Sequence, residues 1–240
     1  MFKSKTDKLL LVQRVGMYKH FCKAGDLVMD VGANIGNRVD AFLELKANVI
    51  AVEPQAFCRK VLRARFGNKI KIVSKGLGEK EETKKMFIAS SSTQISSFSE
   101  DWIDAVKKSR FSKEQWDQTE LIELTTLERL IEQFGVPAFI KIDVEGFELE
   151  VLKGLKTPVP SLSFEYTVPE QVNKTMECFE KVNAISGNYR FNYSIGEDMQ
   201  FELSEFCDYE TFKSIINSRA FLDSSNGDIY AQLHQHTAGI

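Results

Sequence analysis

Two short stretches of this sequence hold most of the residues whose types and spacing can do chemistry. The first is Asp30-Val31-Gly32-Ala33-Asn34-Ile35-Gly36, which continues directly from a β-branched apolar run. Gly32 and Gly36 allow a sharp turn and a close backbone approach to a ligand, and a helix beginning after them presents amides without intrahelical partners. Asp30, at the end of the run, is placed to accept from a ligand ammonium, directly or through water, and Asn34 can both donate and accept. The spacing is Gly-x-x-x-Gly rather than the Gly-x-Gly-x-x-Gly that grips a pyrophosphate, which points to a smaller zwitterionic nucleoside rather than a dinucleotide. Glu53 follows the second apolar run, and an acidic residue about 20 positions past such a turn can take both ribose hydroxyls. Alone, Glu53-Pro54 would read as an ordinary helix start.

The second stretch is Ile140-Lys141-Ile142-Asp143-Val144-Glu145-Gly146, followed by Glu148. In a doubly wound sheet, ligands bind at the carboxyl ends of the strands, so Asp143 and Glu145 should face the same pocket, and Glu165, near the end of the next strand, can join them. Desolvated carboxylates are competent proton acceptors. They are also oxygen ligands for a divalent cation, although no metal is predicted. In a competing reading, Glu145 and Glu148 stabilise the N-terminus of the following helix. Lys141 sits between two isoleucines in a strand that should be buried, which is costly unless a carboxylate pairs with it, so it is a candidate to orient one. His20, His234 and His236 are the only histidines and read as surface residues. Trp102 and Trp116 can line an acceptor pocket or pack a local core.

Positioning these residues requires alternating strands and helices. Short apolar runs predict strands at 27–31, 48–52, 69–74, 138–143 and 161–166, with helices near 37–46, 55–66, 126–134 and 146–154 between them. A helix over 170–184, a strand at 189–194, a helix near 209–218 and a strand at 228–233 follow, the last two strands closing the sheet as an antiparallel hairpin edge. The alternation breaks over 75–125, where Gly76, Gly78, a Ser/Thr-rich run at 90–99 and Trp-containing sequence predict an inserted lobe lying over the pocket. Within it, Met86-Phe87-Ile88 and 120–124 read as strands and 101–109 as a helix. Gly76 and Leu77, just past the third strand, join the cofactor-binding set. Residues 9–21 predict an amphipathic helix. Arg59, Arg63 and Arg65 recur at helical spacing and read as a solvated face.

The chain has 240 residues, enough for one large domain, and a net charge of -3 that does not favour bulk nucleic acid as a partner. No apolar run approaches the roughly 20 residues a membrane helix needs, and no signal peptide is read at the basic start Met1 to Lys8. Cys22, Cys58, Cys178 and Cys207 lie far apart, which argues against a zinc site or disulfide framework and fits a reducing, cytoplasmic setting.

With these residues in view, the sequence resembles the FkbM family of S-adenosylmethionine-dependent methyltransferases. The resemblance rests on Asp30 to Gly36 with Val52-Glu53-Pro54, on Thr126-Leu127-Glu128-Arg129-Leu130, and above all on Ile140 to Gly146 with Glu148 and Leu152-Lys153-Gly154. Where the family pattern has Asp, this chain has Glu128, without obvious chemical consequence. The resemblance implies a class I methyltransferase Rossmann-like sheet, mostly parallel with an antiparallel last strand, and a β-rich insertion between the third and fourth core strands. It would form one domain over 1–240, with an N-terminal helix in 1–24, the lobe at 75–125 and the end of the sheet in 167–240. It further implies S-adenosylmethionine as cofactor and methyl transfer to oxygen of a small-molecule or carbohydrate acceptor, such as a sugar or glycolipid. The expected site is Asp30, Gly32, Ala33, Asn34, Gly36, Glu53, Gly76, Leu77 and Asp143 for the cofactor, with Asp143, Glu145 and Glu165 catalytic. The alternatives are a non-catalytic domain that binds the same nucleoside, and a nicotinamide-dependent oxidoreductase, for which the glycine spacing is wrong and a Tyr-x-x-x-Lys pair is missing.

Overall fold

The computed structural model describes residues 5–234. Residues 1–4 of the basic start and His236 lie outside them. In chain order the elements are α1 (Lys5–Tyr18), β1 (Leu27–Val31), α2 (Asn37–Glu44), β2 (Asn48–Val52), α3 (Ala56–Phe66), β3 (Ile70–Val73), β4 (Gly76–Leu77), β5 (Glu82–Ile88), α4 (Glu100–Lys107) and β6 (Gln118–Thr125). After these come α5 (Leu127–Phe134), β7 (Phe139–Ile142), α6 (Glu148–Lys153), β8 (Ser161–Thr167), α7 (Val172–Ile185), β9 (Tyr189–Ile195), α8 (Tyr209–Ile216), α9 (Arg219–Leu222) and β10 (Asn226–Leu233).

Seven strands form the main sheet in the order β3-β2-β1-β7-β8-β10-β9. The pairs β3–β2, β2–β1, β1–β7 and β7–β8 are parallel, whereas β10 runs antiparallel to both β8 and β9. The expected doubly wound, mostly parallel sheet with an antiparallel last strand is therefore present. The last two strands pair as the expected antiparallel edge, with β10 beside β8 and β9 outermost.

Alternation along each central strand sends neighbouring side chains into different layers. Met29 and Ile140 join the core under α5, α6, α7 and α8, while Val28 and Phe139 pack with Tyr18, Phe21, Val39 and Phe42 under α1 and α2. The helices form where apolar residues fall at helical spacing behind a capping side chain. In α5, Thr126 accepts from the Arg129 amide, and Leu127, Leu130 and Ile131 are buried at i, i+3 and i+4.

Between β3 and α5, strands β4, β5 and β6 make a second, three-stranded sheet in the order β4-β6-β5. The polypeptide joining β5 to β6 carries α4 and packs its own small core of Ala89, Ile95, Trp102, Ile103 and Val106. Ser99 starts α4 by accepting from the Trp102 amide, so the Ser-rich run ends in a helix cap rather than in a linker. Among the described residues, no helix is long and apolar enough to cross a membrane.

Candidate active site

The strand order reverses between β1 and β7, and a cleft of about 490 Å³ opens there at the carboxyl ends of the strands. Its walls include Gly32, Asn34, Glu53, Gly76, Leu77, Asp143 and Glu145. Asp30, Ala33 and Gly36 lie behind this wall: Asp30 is 2% exposed, and Ala33 packs into the core under α1 and α2.

The two turn glycines are required by the protein's own packing. Gly32 has φ +81° and Gly36 φ +86°, a region that favours glycine. A Cβ on Gly32 would overlap the Asp143 carbonyl oxygen, and one on Gly36 would overlap the Phe66 ring. Gly32 thus lets β1 and β7 approach each other closely enough to put Asp143 beside the turn. The turn amides are also spoken for. Gly32 and Ala33 donate to Val52 O, Gly36 donates to Ala33 O, Asn34 to Glu53 Oε2 and Ile35 to Asn34 Oδ1.

Glu53 is 2% exposed and accepts from the Asn34 amide at 2.8 Å through one oxygen and from the Gln55 amide at 2.7 Å through the other. These bonds fix the carboxylate plane, and each oxygen keeps a lone pair for a ligand. Burial raises its pKa to about 7 despite the two amides. Arg59, expected on a solvated helix face, instead donates to the Glu53 and Pro54 carbonyls, and Arg65 reaches Ile35 O and Asp40. The lobe closes over this corner, with Gln55 donating to Thr93 O at 2.9 Å and the Thr93 hydroxyl meeting Asn34 Oδ1 at 3.3 Å.

The loop after β7 is locked from three sides. Glu145 has φ +55°, and its carbonyl accepts from Ser97 Oγ at 2.6 Å. Glu148 Oε1 accepts from the Val144 and Gly146 amides at 3.0 and 3.2 Å, so its first role is to hold this loop. Gly146, with φ +86°, lies against the Trp102 indole, where a Cβ would clash. Behind the loop, Lys141 is 1% exposed, and its ammonium donates to Asp143 Oδ2 at 3.2 Å and to Asp228 Oδ1 at 2.7 Å. Burial opposes that charge, but Asp143 and Asp228 outweigh it and hold the Lys141 pKa well above its ordinary value.

One carboxylate oxygen from each of Asp143, Glu145 and Glu165 lies within 4.8 Å of the others, a spacing at which all three could ligate one cation. Burial first, then the Asp143 and Glu148 charges, raise the Glu145 pKa well above 4.5. Glu165 is shifted the same way by burial and by Asp143, Glu145 and Glu148. Glu145 and Glu165 also line an open groove of about 930 Å³ with Trp102, Phe111, Arg110 and Asn226, and Gln94 and Glu145 belong to both groove and cleft.

The model of the methyltransferase FkbM domain matches residues 30–222, which span the turn, Glu53, the lobe, the Lys141–Glu148 loop and β8. The chain belongs to the FkbM methyltransferase domain family. Its sheet order, with one antiparallel strand inside the edge, is the class I methyltransferase form of the Rossmann-like fold. Solved structures to which this FkbM domain is similar include a precorrin-6y C5,15-methyltransferase from Geobacter metallireducens, with TM-score 0.46, 10% identity and coverage of 98% of this chain and 90% of that one. A TehB-like SAM-dependent methyltransferase from Corynebacterium glutamicum gives TM-score 0.45 and 8% identity over 92% of this chain and 88% of that one. An rRNA methylase from Streptococcus thermophilus gives 0.44 and 12% over 98% and 99%. No curated protein matches the sequence.

Several residues around this candidate site were not singled out in the sequence. Asp228, Ser97, Thr93, Gln94 and Arg110 come from segments far from both motifs, and only Thr93, Gln94 and Ser97 carried a hint, as part of the Ser/Thr-rich run. His20 and His234 are exposed, as expected of surface histidines. Glu128 has a consequence the family comparison did not reveal: it accepts from the Lys156 and Thr157 amides and the Thr157 hydroxyl, pinning the turn after α6.

Proposed function

We propose that this FkbM domain transfers a methyl group from S-adenosylmethionine to a hydroxyl of a small-molecule or carbohydrate acceptor. The observation that carries this reading is the meeting of cleft and groove at Glu145, with Asp143 and Glu165 alongside. The cleft suits the cofactor. Glu53 keeps a lone pair on each oxygen for the ribose hydroxyls, the Asn34 side-chain amide adds a donor, and Leu77 and Phe98 give an apolar wall for a base. The consumed turn amides leave little to cradle a pyrophosphate, which counts against the nicotinamide alternative.

When bound, S-adenosylmethionine supplies an electrophilic methyl on its sulfonium. The protein's contribution is to hold the acceptor oxygen in line and to take its proton. Glu145 and Glu165, both raised by burial and by neighbouring carboxylates, are the groups placed to receive that proton, with Asp143 beside them. Excess carboxylate in the groove disfavours anionic acceptors and, with the net charge of -3, bulk nucleic acid.

Calorimetric titration with S-adenosylmethionine and S-adenosylhomocysteine tests the reading, with NAD for comparison and Glu53→Ala as the control. Binding of both adenosyl ligands, lost in the variant, is expected, followed by methyl transfer to hydroxylated acceptors in a screen. Binding of NAD alone, or of no ligand by well-folded protein, rejects it, and binding with no turnover on any acceptor class favours a non-catalytic nucleoside-binding domain.

A further inference from the structure

Lys141 and Asp143 are two residues apart along the line of β7, so their side chains leave the same face, and the ammonium reaches Asp143 Oδ2 at 3.2 Å. The second partner comes from elsewhere. Asp228 lies on β10, which does not pair with β7, because β8 runs between them. The β8 residue opposite Lys141 is Ser163, and the small serine leaves the room across which Lys141 meets Asp228 at 2.7 Å. Both partners of this inner contact are buried, Lys141 at 1% and Asp228 at 3%, whereas the Asp143 side chain is 29% exposed and lines the cleft. One carboxylate would meet the need of a buried cation for a counter-charge. Lys141 has two, one inside the sheet and one at the reacting end of the cleft.

We propose that Asp228 and Lys141 are positioning residues for methyl transfer: Asp228 anchors the ammonium from inside the sheet, and Lys141 fixes the Asp143 carboxylate on the cleft floor beside Glu145. The inference rests on the methyl-transfer reading of the site. The competing role is purely structural, a buried pair that ties β7 to β10.

The double variant Lys141→Met/Asp228→Leu separates the two roles. It removes both members of the buried pair together, and apolar replacement of a buried ion pair is often neutral for stability, while buried Asp30 on β1 keeps Arg38 and Arg14 as counter-charges. Urea denaturation, S-adenosylhomocysteine calorimetry, a crystal structure and methyl transfer are measured on it beside the native protein. A stable fold and retained S-adenosylhomocysteine binding are expected. Turnover should be about 100-fold lower with little change in the KM for S-adenosylmethionine, as for a misplaced reacting group, and the Asp143 side chain should spread over more than one rotamer. A stable double variant with native turnover and a native Asp143 rotamer overturns the proposal. If the double variant does not fold, Lys141→Gln removes the charge while keeping a polar contact to Asp228, and the same losses are expected of it; native values there also overturn the proposal. A native protein that binds no adenosyl ligand rejects the methyltransferase reading instead, and the Asp143 rotamer in the variant still decides whether Lys141 holds it.

Discussion

The indole of Trp102, from the inserted lobe, occupies the space a Cβ on Gly146 would need. The lobe is thereby seated directly on the loop that carries Asp143 and Glu145, and the geometry of one cannot change without the other. Gly146 is tied to this place twice, by the indole and by its φ of +86°.

Gly146→Ala is expected to lower stability by about 1–3 kcal/mol, the usual range for a strained backbone or an overpacked contact. Turnover should fall more steeply than affinity for S-adenosylhomocysteine, because the strain acts on the loop and not on Glu53. Urea denaturation with calorimetry checks this, and a variant as stable as the native protein would show that the lobe is not seated on Gly146.

Glu145 is a non-glycine residue at φ +55° with a side chain among other carboxylates. Glu145→Gly should therefore raise stability by roughly 1 kcal/mol, the low end of the cost of a left-handed non-glycine residue, while turnover falls. Opposite signs in stability and activity are the signature of strain kept for function. A loss of stability on this substitution contradicts the account.

Ser97→Ala removes the 2.6 Å bond to the Glu145 carbonyl and should cost about 1 kcal/mol. Because the hydroxyl also accepts from the Ser99 amide at 2.9 Å, the start of α4 should loosen too, seen as faster amide exchange around Trp102. Unchanged exchange there would mean that Ser97 does not couple loop to lobe.

Asp30, Glu53 and Glu148 all titrate at about 7, with burial the first cause in each, against ordinary values of 3.8 for Asp and 4.5 for Glu. The folded protein holds these protons more tightly than the unfolded chain, so stability should fall as pH rises through that window. Glu197, lowered to about 2 by Arg38 and Arg14 against its burial, acts oppositely, losing its contribution as pH drops from 4.5 toward 2. The urea midpoint of the ligand-free protein should therefore be higher near about pH 5 than near about pH 7. An equal or higher midpoint at the upper value refutes the assignment.

Much of the site could be read from the sequence because its chemistry is local in the chain. The turn from Asp30 to Gly36, Glu53 at the end of the next strand, and the Lys141-x-Asp143-x-Glu145 alternation depend only on strand periodicity and on where strands end. The same logic gave the sheet, its antiparallel last strand and the insertion. What escaped depends on pairing across distance. The position of β10 inside β9, and hence the meeting of Asp228 with Lys141, follows from strand order, which no local pattern encodes. Arg59 looked like a solvated residue because helical spacing shows which residues share a face but not what an arginine at the edge of that face can reach. The turn glycines were read correctly as conformationally special, but the atoms filling their missing Cβ positions belong to Asp143 and Phe66, contacts visible only once the chain is folded.

The separation of 87 positions between Lys141 and Asp228 also sets an order of events during synthesis. At typical ribosomal speeds the lysine emerges roughly 4 to 17 s before its inner partner. Throughout that interval the nascent β7 carries a cation that the finished sheet would bury, with β10 not yet made to receive it. The inner contact of Lys141 forms only once β10 has been made and has paired with β8.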